Sequence, residues 1–218
     1  MSASAPPIRL AGSTFKDRPH ICAFFNSSDE AHQVLLPFIQ EGLALGQKAL
    51  HTIDPLRREE HTRWLTSAGI NVASPNKQIE ILDWTQSHLR DGRFDREWTL
   101  AFWRDCAATA ASAGFPLVRF VSQMEWVLTA ELSTEELLEY EAAANDTWIN
   151  SEGPVSPAVC IYDLRRFSAD LIIDVMRTHP LVLVGGLLQE NPFYVAPAEF
   201  LAEVRQRRAN RQTSTKTA

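Results

Sequence analysis

The sequence predicts an α/β protein in three layers, with a mostly parallel central sheet of about six strands flanked by helices. Two observations carry this. Short apolar runs alternate with longer segments of helical period, the pattern of repeated strand and helix units. The helical segments also carry their own start and stop residues, so each unit is separately punctuated. A chain of 218 residues that is 45% apolar buries one substantial core and not two. One domain over residues 19–208 is therefore expected, after a flexible segment over 1–18 and before a disordered tail over 209–218.

His20 to Phe25 is the first strand. The turn from Asn26 to Glu30 supplies helix-starting residues, and a helix with Val34, Leu35, Phe38, Ile39 and Leu43 inward stops at Gly46. Pro37 falls inside that helix and is expected to kink it or mark a local break. Lys48 to Ile53 is the second strand, closed by Asp54 and Pro55, and Arg57 to Ala68 the next helix, with Trp64 and Leu65 inward. Gln78 to Leu82 alternates polar and apolar residues, which suits a strand with one wetter face. Gly92 to Asp95 leads into a long helix with Trp98, Leu100, Phe102, Trp103 and Cys106 as buried candidates, stopping at Gly114. Pro116 to Val121 is the fourth strand. Ser133 and Glu136 form a capping-box signal for a helix carrying Leu137, Leu138, Tyr140 and Glu141. Pro157 to Tyr162 and Leu181 to Val184 are the fifth and sixth strands, separated by a helix over Ala169 to Arg177, and a last helix runs from Pro197 to about Arg208.

Composition narrows the function classes. A net charge of −6 opposes a nucleic-acid backbone, and the one dense basic run, Arg205 to Arg211, reads as a solvated helix end, so no direct nucleic-acid contact is expected. The longest apolar run, Pro180 to Leu188, contains two glycines and is too short to cross a bilayer. The amino-terminal residues lack a secretory pattern, and Cys22, Cys106 and Cys160 are widely spaced, as free thiols of a cytoplasmic, soluble protein would be.

The turn after the first strand stands where a phosphate loop would lie in a nucleotide-binding protein. Such a loop needs glycines to wrap the phosphates and a lysine to reach them, whereas Asn26-Ser27-Ser28-Asp29-Glu30 has neither. ATP hydrolysis is not expected. His20 and Cys22 share a strand face, and Cys160 can approach from a neighbouring strand, but no second spaced pair completes a metal site. Buried thiols and a hydrogen-bonded histidine are the default, with no metal and no cofactor. No nucleophile elbow is present, and no catalytic residue is assigned. Open parallel sheets bind ligands at the carboxyl ends of their strands. Phe25, Asn26, Asp54, Trp84, Glu125, Trp126, Tyr162 and Asp163 fall there, aromatic walls with a few polar groups.

The same segments resemble a known family. His20 to Phe25, Phe38 with Glu41 to Leu43 and Gly46, Asp54-Pro55, Asp91 to Phe94, Met124 to Trp126, Tyr140-Glu141 with Asn145, Cys160 to Asp163 with Arg165 to Phe167, Thr178 to Pro180, and Asn191 to Tyr194 are similar in order and spacing to the MEDS sensory domain. The resemblance covers Pro19 to Leu201. It implies a RecA/KaiC-like core with a degenerate phosphate loop and a role in sensing hydrocarbon derivatives or C1-related compounds. It adds His20, His179 and Tyr194 to the site and supports Glu125, Trp126, Tyr162 and Asp163. Phe25 stands where the family often has tyrosine. His179-Pro180 also suits a structural role at the turn into the sixth strand.

The expected function is a noncatalytic small-molecule sensor that acts through a separate regulator or kinase partner, with homo-oligomer formation left open. Occupancy of the strand-end cleft is expected to shift Asn191 to Tyr194. A noncatalytic interaction module is the alternative, followed by a cryptic enzyme using Glu125, Asp163 or a cysteine.

Overall fold

The computed structural model describes residues 7–15, 20–149 and 156–216. In chain order the elements are β1 (Ile8–Leu10), β2 (Ser13–Phe15), β3 (His20–Phe25), α1 (Ser28–Ala44), β4 (Lys48–Ile53), α2 (Arg58–Ser67), β5 (Ile79–Asp83), α3 (Trp84–Ser87), β6 (Leu89–Arg90), β7 (Arg93–Phe94), α4 (Arg96–Ser112), β8 (Val118–Gln123), α5 (Thr134–Ile149), β9 (Ala158–Asp163), α6 (Ala169–Thr178), β10 (Leu181–Val184), β11 (Leu187–Glu190) and α7 (Pro197–Lys216). Short 3₁₀ turns follow β4 at Pro55–Arg57 and β8 at Met124–Leu128.

The central sheet has seven strands in the order β11-β10-β3-β9-β8-β4-β5, all parallel except β11. Six of them are the strands the apolar runs predict. The seventh returns antiparallel beside β10 through Gly185 and Gly186, whose φ values of +58° and +72° suit a two-residue hairpin. Only Leu188 of β11 is buried, so this edge strand has no apolar run to betray it. The Gly-Gly pair is the signal that was there to be read.

Alternation along the strands divides the core. Ile21, Ala23, Phe25, Ala49, Val121, Val159 and Ile161 pack on one face against Leu35, Phe38 and Ile39 of α1 and Leu65 of α2. Cys22, Phe24, Cys160, Tyr162 and Val182 pack on the other against Leu137 and Leu138 of α5, Val175 of α6 and Phe200 of α7. Helix α4 adds Trp103 beside Leu50 and Phe120 on that second face.

Three expectations change. Within the segment read as flexible, β1 and β2 form a hairpin whose Ile8, Leu10 and Phe15 join the first core layer. The last helix continues to Lys216, into the stretch read as a disordered tail. Helix α1 runs unbroken through Pro37, so the proline does not end it. No helix among the described residues is long and apolar enough to cross a membrane.

Candidate functional site

At the carboxyl edge of the sheet, on the α1 and α2 side, lies a cavity of about 40 Å³. Phe25, Ile53, Gln123, Glu125 and Asp163 reach it from strand ends or the turns that follow them, while Ser28, His32, Leu35 and Ile39 come from α1 and His61 and Trp64 from α2. Ser27 caps α1 by accepting from the Glu30 N–H at 3.1 Å, and the Glu30 carboxylate accepts from the Asn26 N–H at 2.8 Å. Two donors of this turn, the Asn26 and Glu30 N–H groups, are therefore spent on its own side chains, as acidic first-turn residues allow.

Three histidines line one wall. His32 stacks on Trp64 with ring centroids 3.9 Å apart, and His51 Nδ1 lies 2.9 Å from His61 Nε2. Burial, then His61, holds the His51 imidazole well below its ordinary pKa, and burial, then His32 and Arg57, lowers His61 to about 4. Both rings are neutral at pH 7, and one shared proton joins them. His51 Nε2 is left buried with no partner. Glu125, whose carboxyl burial pushes upward in pKa, likewise has Oε2 buried and unpartnered. Arg57 crosses between elements, donating to Ser28 Oγ at 2.8 Å and to Glu60.

The predicted residues do not form one site. Phe25, Glu125 and Asp163 line the cavity; Asp163 is chelated by Arg165, which holds its carboxylate below the usual range. Asn26 is exposed, and its N–H serves Glu30. Asp54 caps the 3₁₀ turn by accepting from the Leu56 N–H at 2.9 Å. Trp84 and Trp126 are buried in the second core layer, where Trp126 stacks on His88 and Phe94 at centroid distances of 4.7 and 5.0 Å.

His20, Tyr162 and His179 gather instead around Glu141, within the second layer. Tyr162 donates to Glu141 Oε1 at 2.7 Å, while Nε2 of His20 and of His179 lie 3.4 and 3.5 Å from Oε2. The segment from Asn191 to Tyr194 belongs to this end of the sheet, because β11 pairs Glu190 with Leu181 at the amino end of β10. Asn191 donates to the carbonyls of Met176 and His179 at 2.5 and 2.8 Å, and Tyr194 is half-buried after it. The expected coupling of this segment to the carboxyl-edge cleft is therefore not direct.

Sequence reasoning passed over His32, His51, Arg57, His61 and Trp64. A signal existed: Ser28, His32, Leu35 and Ile39 repeat at helical spacing, as do Arg57, His61 and Trp64. Each stripe places histidine on an otherwise inward face.

The model of the MEDS family, described as the methanogen/methylotroph, DcmR sensory domain, matches residues 19–180. The transcriptional repressor DcmR of Methylorubrum extorquens (strain DSM 6343 / CIP 106787 / DM4) is 24% identical over 188 residues, which are 81% of this chain and 63% of the repressor. The chain thus spans less than two thirds of that relative's length.

Proposed function

The chain belongs to the MEDS family of sensory domains, and on that premise we propose that it binds a small molecule in the carboxyl-edge cavity and signals its occupancy to a separate output partner, without catalysis. One observation carries the reading. The cavity has an apolar wall of Phe25, Leu35, Ile39 and Trp64, yet two of its lining residues, His51 and Glu125, each keep a buried polar atom, Nε2 and Oε2, without a hydrogen-bond partner. Burying an unpaired polar group costs roughly 1–3 kcal/mol, so a ligand that pairs with both recovers that cost on binding. Such a constellation of apolar walls and a few orienting polar groups is what small-molecule pockets have.

Size narrows the ligand. A cavity of about 40 Å³ exceeds the roughly 10–15 Å³ that one water requires and falls well short of the roughly 150 Å³ that admits benzene. A compound of one or two carbons bearing a polar or polarisable substituent fits, in keeping with a hydrocarbon derivative. The similarity to a transcriptional repressor supports a regulatory output, reached through a regulator or kinase. The link between Arg57 and Ser28 spans the cavity from the turn after β4 to α1, so occupancy there has a route to the helix surface.

Trp64 reports on the site directly. Titration with halomethanes, methanol and other one- and two-carbon compounds should change its fluorescence, and Glu125→Gln or His51→Phe should weaken binding about tenfold or more, as loss of one buried hydrogen bond implies. Failure of the whole panel to bind the folded protein would remove this reading.

A further inference from the structure

We propose that His20, Glu141, Cys160 and His179 bind a single divalent transition-metal ion, with Zn²⁺ the best geometric match. The site is distinct from the carboxyl-edge cavity and stands independently of the ligand reading. The four side chains come from four elements: the first residue of β3, the middle of α5, the middle of β9 and the residue that ends α6. Their ligand atoms all lie within 4.8 Å of one another, and all four residues are buried.

The hydrogen bonds around the cluster fix which atoms face inward. Asn145 Nδ2 donates to the carbonyls of Glu141 and Thr178, so its Oδ1 must be the atom that meets His20 Nδ1, 3.3 Å away. A carboxamide oxygen only accepts, and His20 therefore carries its proton on Nδ1. His179 Nδ1 lies 2.9 Å from the Val175 carbonyl, which assigns its proton in the same way. Both Nε2 atoms are left as bare lone pairs. Outer hydrogen bonds from one ring nitrogen to a carbonyl or carboxamide are what orient metal-binding histidines.

These lone pairs meet an acceptor. Glu141 Oε2 is 3.4 Å from His20 Nε2 and 3.5 Å from His179 Nε2, and both Oε2 and His179 Nε2 are buried with no hydrogen-bond partner. Cys160 Sγ closes the group, 3.4 Å from His20 Nε2. Bonds of about 2.0–2.1 Å to nitrogen or oxygen and about 2.3 Å to sulfur give tetrahedral edges of about 3.3 and about 3.5 Å. The three separations just given match these edges, and the remaining three lie within 4.8 Å. The two from Glu141 are long for a proton held between oxygen and nitrogen, which lie about 2.7–3.2 Å apart when hydrogen-bonded.

Cys22 is the internal control. It opposes Cys160 in the β3–β9 register and shares its face, but its thiol is directed to the Leu181 carbonyl at 3.6 Å. The mixed nitrogen, oxygen and sulfur set selects a borderline ion such as Zn²⁺ over Mg²⁺ or Ca²⁺.

The test uses the full chain, stripped with a chelator and titrated with Co²⁺ as a spectroscopic stand-in. One equivalent should produce the visible bands of tetrahedral Co²⁺ and a near-ultraviolet thiolate charge-transfer band, and Zn²⁺ should displace it and raise the melting temperature. Cys160→Ser should abolish the charge-transfer band and weaken binding at least tenfold, whereas Cys22→Ser should retain both. His179→Gln should lower affinity while circular dichroism confirms the fold. A folded protein that takes up no Co²⁺, or whose charge-transfer band survives Cys160→Ser, overturns the assignment.

Discussion

Replacing Gly42 with alanine should destabilise the protein, although helix propensity alone predicts the opposite. Gly42 lies within α1, where alanine is favoured over glycine by about 1 kcal/mol. A Cβ there, however, would stand 2.6 Å from both Cδ and Nε of Arg119. Carbon contacts are comfortable at about 3.5–4.0 Å, so the arginine must move by about 1 Å. It is poorly placed to do so: Arg119 is 1% exposed and lies over the Phe38 ring. It donates to Gln47 Oε1 at 2.7 Å, the Phe38 carbonyl at 2.5 Å and Glu41 Oε2 at 3.1 Å. A displacement of that size breaks one or two of these bonds, each worth about 1.5–3 kcal/mol when the donor is charged. Net of the helix gain, Gly42→Ala should cost about 0.5–5 kcal/mol. For a chain of this length that lowers the melting temperature by about 1–20 °C. Urea denaturation of wild type, Gly42→Ala, Arg119→Met and the double variant measures the coupling; in the double variant the alanine should add almost no further cost to that of Arg119→Met. Unchanged or increased stability in Gly42→Ala would refute the argument that this glycine makes room for a buried guanidinium.

Acid should weaken the fold before most carboxylates titrate. Burial lowers His88 to about 3, and burial with neighbouring charges lowers His61 to about 4, against an ordinary 6.5. A lowered folded pKa means stability is complete above pH 6.5 and is lost as pH falls toward the folded values, at about 1.4 kcal/mol per pH unit for each ring. Urea midpoints from pH 7.5 to 4.5 should show this slope, and His88→Gln should remove one proton's share; an unchanged slope in that variant contradicts the assignment. On the surface, Glu203 holds Arg177 and Arg207 at 2.7 and 2.6 Å, but it is 39% exposed. Glu203→Gln should therefore cost no more than about 1 kcal/mol, less still in high salt, and a larger, salt-insensitive loss by denaturation would show that solvent screening is weaker there than argued.

Much of the fold was legible in the chain. The strands at His20, Lys48 and Leu181 lie where their apolar runs end, and Ser133 and Glu136 form the reciprocal cap their spacing announces. The β8 strand is displaced by two residues, to Val118–Gln123, because the carboxyl end of a parallel strand can carry polar residues that a hydrophobic run excludes. The hairpin of β1 and β2 was missed for a different reason: its three buried side chains gain meaning only from α1 beneath them.

For the site, the local pattern placed the Asn26 turn and the strand ends, and it supplied the absence of phosphate-binding glycines and lysine. Whether residues remote in sequence share a cavity was beyond it. His20 and Cys160 are 140 residues apart, and their meeting depends on a register that pairs Cys22 with Cys160. Glu141 and His179 reach the same point only because α5 and α6 pack together over that face of the sheet. The sequence by itself determined an α/β chain with six of its strands and the family to which it belongs. Only the tertiary structure divided the candidate residues between a carboxyl-edge cavity and a buried cluster around Glu141, because periodicity assigns a side chain to a face, while strand order and helix packing decide what it meets there.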